Sequence, residues 1–189
     1  MHLYKTIEEF NSSFNCLFGQ KIIKIEYIGL NYEEYENKYF TKYENIHTMD
    51  FSIILYTDKN NKYEITWDNS FYSYGLGILI NDFKNENKSS IKWDMTNDIF
   101  WEKYLNKNIL GIYFLWETVT EWNNDKKIIK NTYTYPQTCR LGFDGINGKD
   151  DIFISVAEFL DENDNTVMGM MDNIIVTNDI NKAIKINIY

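Results

Sequence analysis

Apolar residues near the start of the chain fall at Ile7, Phe10, Phe14 and Leu17, the spacing of one helix face. Thr6-Ile7-Glu8-Glu9 fits a capping box ahead of it, with Thr6 accepting from the Glu9 amide and the Glu9 carboxylate reaching back. Gly19 ends that helix, and an alternating strand over Lys21–Ile28 follows at once. The most apolar stretch comes later, at Asn106–Trp122. Laying Ile22-Ile23-Lys24-Ile25 on Ile109-Leu110-Gly111-Ile112 superposes the two at an offset of 87 residues, and most of what flanks each then falls into step.

The second copy opens on Thr96-Asn97-Asp98, capping residues for a short helix through Leu105 whose buried side is Phe100, Trp101, Tyr104 and Leu105. Asn106-Lys107 takes the place of the glycine turn. After each central strand comes a connector of matching length. In the second copy Asn123-Asn124-Asp125 reads as the turn of a hairpin between Tyr113–Trp122 and Lys127–Tyr135. The first connector leaves two readings open, because Tyr32, Tyr35, Tyr39 and Tyr43 are spaced as a helical stripe while the analogy argues for strands. A hairpin follows in both copies: Phe51–Thr57 with Lys62–Trp67, and Arg140–Phe143 with Asp151–Ala157 around Asp144-Gly145 and Asn147-Gly148. Each leads through a loop to a Gly-bearing apolar strand, Gly75–Ile80 or Met168–Val176.

Two similar halves, 1–82 and 94–189, are thus expected in one globular domain, joined by a polar linker over 83–93. Ile184, Ile186 and Ile188, alternating with polar residues, predict a short closing strand. Local alternation and tight turns imply antiparallel pairing, and no βαβ rhythm is present. The fold class is α+β: mainly antiparallel sheet with few short helices, built as two tandem copies of a helix-strand-connector-hairpin-loop-strand unit.

Composition narrows the function classes. With 189 residues, 44% hydrophobic and 17% aromatic, the chain can bury a substantial core. No apolar run approaches the roughly 18 residues of a membrane span. The N-terminus shows no basic-then-apolar leader, which points to the cytoplasm. Twenty-four Asn and 18 Lys against one Arg and one Pro reflect an AT-rich bacterial genome rather than an activity. A net charge of −9 disfavours nucleic acid and suits a basic partner, or simply solubility.

Signatures of catalysis are sparse. His2 and His47 are the only histidines and neither has metal-ligand spacing; Cys16 and Cys139 are far apart and read as buried thiols. Gly142–Lys149 lacks the glycine offset and following helix of a phosphate loop. Asp161, Asn163, Asn165 and Asp172 match a calcium loop in part, but Thr166 stands where glycine is needed and no flanking helices are expected, so a solvated loop is the plainer reading. Glu117 and Glu121, four apart on a strand, lie about 13 Å apart in backbone. That is too far for a glycosidase pair, and they read as the charged face opposite Trp116 and Trp122. No catalytic residue, metal or cofactor is assigned.

What remains is aromatic and acidic surface. Phe71, Tyr72 and Tyr74 gather where a turn should be polar, and Glu33, Glu34 and Glu36 alternate with tyrosines. Such loops either anchor an interface or fold back as core. The run WDNSFYSYGLGILI (Trp67–Ile80) followed by a linker and DMTNDIFWEKYLNKNI (Asp94–Ile109), in an acidic chain without enzyme motifs, resembles small acidic immunity proteins that bacteria encode beside polymorphic toxins. The resemblance covers about half the chain, carries over no functional residue and implies a non-enzymatic role that neutralises a partner by occlusion. Net charge makes a basic toxin domain the expected partner, and the aromatic and acidic loops make those six residues the candidate contacts. A carbohydrate or small-ligand binder, or an enzyme, using the Trp-rich second half is the alternative from another class; a purely structural or assembly protein is a third.

Overall fold

The structure, a computed structural model, describes residues 3–31, 38–41, 43–73, 75–81, 89–123, 128–158, 168–186 and 188–189. Helix α1 (Ile7–Asn15) starts where its capping box requires: Thr6 Oγ1 accepts from the Glu9 amide at 3.2 Å. The return arm falls one residue earlier than expected, Glu9 Oε2 accepting from the Lys5 amide at 2.7 Å. Phe10, Phe14 and Leu17 are fully buried, whereas Ile7, in the first turn, stays largely exposed.

Strand β1 (Ile22–Leu30) follows, then β2 (Ile46–Met49), β3 (Ser52–Thr57), β4 (Lys62–Asp68) and β5 (Gly75–Ile80). The second half runs β6 (Ser90–Asp94), α2 (Ile99–Glu102), β7 (Ile109–Asn123), β8 (Ile128–Phe143), β9 (Ile152–Glu158), β10 (Met168–Thr177) and α3 (Ile180–Lys185). Two five-stranded antiparallel sheets result, in the orders β5-β4-β3-β1-β6 and β2-β10-β9-β8-β7. The series β5-β4-β3-β1 recurs as β10-β9-β8-β7, so the tandem unit is present in three dimensions.

Registers repeat as well as order. Lys24 faces Tyr56, and 87 residues on Gly111 faces Gly142, one short of a strict copy. Ser52 faces Thr66, and the counterpart Cys139 faces Ile154, again displaced by one. The likeness is closest where helix meets strand. Gly19 and Asn106 are equivalent and both hold positive φ, +72° and +61°. That conformation is free to glycine and tolerated by asparagine. The Gly19 amide donates to the Ile109 carbonyl and the Asn106 amide to the Ile22 carbonyl, both at 2.8 Å, while Lys21 bridges Asn108 antiparallel. Each bond maps onto the other by the same offset. The two units therefore meet about a local two-fold axis, with β1 and β7 beginning side by side.

A common core lies between the sheets and the helices. Phe14 and Trp101 are equivalent positions, as are Leu17 and Tyr104, and all four are fully buried among β-strand residues of both sheets. Burial of this kind, about 1.5–3 kcal/mol per large apolar side chain, is the main stabilising term. A second, smaller cluster covers the other face of the β9–β10 region, where Ala183, Ile186 and Ile188 meet Ile46, Phe153 and Ile175.

Two expectations need correction, and one open reading is filled in part. The C-terminal isoleucines sit on and after a helix, not a strand. Asp179 caps α3 by accepting from the Asn181 amide at 2.8 Å and the Lys182 amide at 3.3 Å, and a helical cap plus packing outweighs the period-two pattern. The end of the expected linker is strand β6, paired with Glu26–Leu30 of β1. The first connector contributes β2, which pairs with β10 in the sheet of the other half, so the units interlock; Tyr32 and Tyr35 lie outside the described residues. No helix among the described residues is long and apolar enough to cross a membrane.

Candidate functional site

The hairpin β7–β8 is far longer than its counterpart. Its arms pair from Ile109–Phe143 to Asn123–Ile128, but β9 covers only Thr138–Leu141 of β8. Beyond Trp116 and Pro136 the two strands therefore project as a ribbon. A lone two-stranded ribbon is marginal in water, and this one is propped by the loop after β4. Phe71 sets its ring edge-on to Trp116 at 5.2 Å and to Phe10 at 5.9 Å. Tyr72 lies 4.5 Å from Tyr133 between ring centroids, and its hydroxyl donates to Glu121 Oε1 at 3.4 Å. Burial first, and then the Glu121 charge, push that phenol above its ordinary pKa.

Bulges in the ribbon, between Leu115 and Trp116 and between Glu121 and Trp122, break the expected face separation. Trp116 packs on the core, while Trp122 is 56% exposed, Ile129 55% and Tyr113 58%. Around them Asn131 Nδ2 donates to Glu121 Oε2 at 3.2 Å and Lys130 Nζ stands 3.9 Å away, a weak exposed pair. The ribbon thus presents Trp122 and Ile129 as directly opposed apolar neighbours beside Glu121, while Tyr113 sits at its base opposite Arg140, whose guanidinium stands 5.4 Å over its ring.

Of the sequence-derived candidates, Phe71 turns inward and serves the core, and Tyr72 lies along the ribbon's side. Tyr74, Glu33, Glu34 and Glu36 lie outside the described residues. Sequence reasoning passed over Tyr113 and Ile129 and set Trp122 on the inner face; the extra hairpin expected over Tyr113–Trp122 and Lys127–Tyr135, which in the structure lengthens both arms to 15 and 16 residues, was the available signal.

A second feature is an open cleft of about 820 Å³ between the β2 end, α2 and the start of α3. Three of the four carboxylates that line it have local duties: Asp98 caps α2 by accepting from the Phe100 amide at 2.9 Å, Asp179 caps α3, and Asp150 Oδ1 pairs with Lys103 Nζ at 3.2 Å. His47 lines it, its ring tilted 31° to that of Phe100 with centroids 4.3 Å apart. Trp101 Nε1 donates to the Tyr27 hydroxyl at 2.8 Å, and the hydroxyl is 2.9 Å from His47 Nδ1. Indole can only donate, so the Tyr27 oxygen accepts from Trp101 and shares its second hydrogen bond with the imidazole. Burial lowers the His47 pKa to about 4, with Asp98 opposing, and keeps the ring neutral.

The remaining candidates for chemistry have structural surroundings. Cys139 is fully buried and its thiol is pushed well up by burial; Cys16 is exposed, and both are free thiols. Arg140 Nε donates to Asp151 Oδ2 at 2.7 Å and its Nη2 to the Gly148 carbonyl at 3.2 Å, closing the turn that superficially matched a phosphate loop. Among the described residues no three His, Cys, Asp or Glu side chains group as metal ligands. Asp161–Val167 of the partial calcium pattern fall outside those residues. No family model, curated protein or solved structure matches the chain.

Proposed function

We propose that this protein is a non-enzymatic protein-binding protein, an immunity protein that neutralises a basic toxin domain by occluding it. The observation that carries this reading is the β7–β8 ribbon, which extends past the sheet while exposing Trp122 and Ile129 beside Glu121, with Tyr113 exposed at its base. Large aromatic and aliphatic anchors ringed by charge are what protein interfaces bury at their centres. The net charge of −9 supports a basic partner, whose approach it would accelerate. Phe71 then acts as the prop that fixes the ribbon, and Tyr72 as a flank of the contact surface.

Co-expression with a toxin encoded beside this gene tests the proposal. Cells carrying both are expected to survive, and the double variant Trp122→Ala/Ile129→Ala to lose protection while remaining folded. Equal survival with and without this protein would refute it. The cleft beside His47 favours a second reading, a small polar ligand. Asn178 lines that cleft, its Nδ2 3.4 Å from the Phe100 carbonyl; in that case Asn178→Ala, rather than the ribbon variant, would abolish function.

A further inference from the structure

We infer that the outer edge of β7 accepts an extended basic segment of the partner as an added antiparallel strand, in the position that β6 occupies on β1. The inference rests on the protein-binding reading above and specifies how the partner is held. In the first sheet, β1 is lined on both edges. β3 covers one, and β6 covers the other through Tyr27–Trp93 and Gly29–Ile91. The outer-edge ladder runs on past the end of β6: the Ile25 amide donates to Thr96 Oγ1 at 3.2 Å, and the Ile25 carbonyl accepts from the Met95 amide at 2.9 Å.

Moving 87 residues along, the counterpart of Glu26–Leu30 is Tyr113–Glu117 of β7. Among the described residues β7 has one strand neighbour, β8; Ile109 at its start bonds Gly19 and Gln20, and beyond that residue no strand pairs with its other edge. The cause is topological. After β5 the chain returns as β6, but after β10 it turns directly into α3 and packs on the opposite face of the sheet.

Burial responds to the vacancy. Ile25 and Tyr27 are fully buried, whereas their counterparts Ile112 and Phe114 are only half-buried although both pack on the core. An open edge beside partly exposed core side chains is a template for β-augmentation, in which main-chain bonds supply affinity and side-chain pockets supply choice. Since Ile25 directs its backbone groups outward and the pattern has period two, Ile112 and Phe114 direct theirs to the open edge. Charge selects the occupant. In the β6 register Ser90 faces Leu30, so the incoming residue at that place faces Glu117, with Glu121 further along. Lysine or arginine there makes an opposite-charge cross-strand pair. A second copy of this acidic chain, brought edge to edge, would set carboxylates near carboxylates.

The test uses the whole ¹⁵N-labelled protein and a synthetic peptide copying residues 89–96 with Ser90→Lys. Binding is expected to slow amide exchange at Ile112 and Phe114. The Ser90→Glu peptide is expected to bind about fivefold more weakly, the effect of a cross-strand charge pair near 1 kcal/mol. Unchanged exchange at both amides with peptide in excess would overturn the inference. So would changes confined to Tyr27 and Gly29, which would mean that the peptide displaces β6. Protection of Ile112 and Phe114 that grows with protein concentration alone would assign the edge to a second copy and also overturn it. None of these results bears on the co-expression assay, which judges the protein-binding reading separately.

Discussion

Tyr27 shows how much one buried hydroxyl can organise. It accepts a hydrogen bond from the Trp101 indole and shares another with His47 Nδ1, tying β1, α2 and β2 together. Tyr27→Phe keeps the ring and strands both neighbours, so a loss of about 2–4 kcal/mol in chemical denaturation is expected. His47 itself imposes a pH dependence. Its folded pKa is lowered to about 4 against 6.5 unfolded, so the unfolded chain binds the proton first. The corresponding stability is complete above pH 6.5 and drains away as the pH falls toward 4, by about 3 kcal/mol in all. Unfolding free energies measured across that window should fall less steeply for His47→Asn. A second pair of residues reports on the repeat. Gly19→Ala and Asn106→Ala each place alanine at positive φ and should each cost about 1–2 kcal/mol, whereas Asn106→Gly should cost nothing or stabilise.

Elements bound by local chemistry were legible in the sequence. The Thr6 cap, the Asp98 cap, the hairpin β3–β4 and the strand Gly75–Ile80 follow from side-chain hydrogen bonding, period two and turn residues acting within a few positions. Elements decided by distant partners were not. β6 has too few apolar residues to announce itself and exists because β1 offers an edge. The C-terminal isoleucines carry a strand's alternation, yet Asp179 and the cluster under α3 impose a helix. The β6–β1 contact can be probed at Gly29, where an added Cβ would lie 2.7 Å from the Trp93 ring and 2.8 Å from Asp50 Oδ2. Gly29→Ala should cost about 1–3 kcal/mol. Hydrogen exchange should show the loss concentrated in β6; an even loss across both sheets would argue against this packing as its cause.

Across the whole molecule, duplication supplies the scaffold and the departures from it supply the surface. The first sheet closes its outer edge with β6. The second lengthens its hairpin, leaves β7 open and exposes Trp122 and Ile129. The sequence carried the repeat because order and spacing persist even where side chains differ. It carried the site less well, since exposure depends on where a neighbouring strand stops: Phe71, chosen for its place in a loop, belongs to the core, while Ile129 drew no notice. Binding kinetics with a toxin encoded beside the gene test the proposed role most directly. Added salt should chiefly slow association, since surface charge acts on encounter. Trp122→Ala should speed dissociation by about thirtyfold, the equivalent of 2 kcal/mol at a buried anchor, while unfolding stability moves by less than about 0.5 kcal/mol. A complex whose dissociation rate ignores Trp122→Ala, or the absence of any complex, would contradict the role assigned to the ribbon.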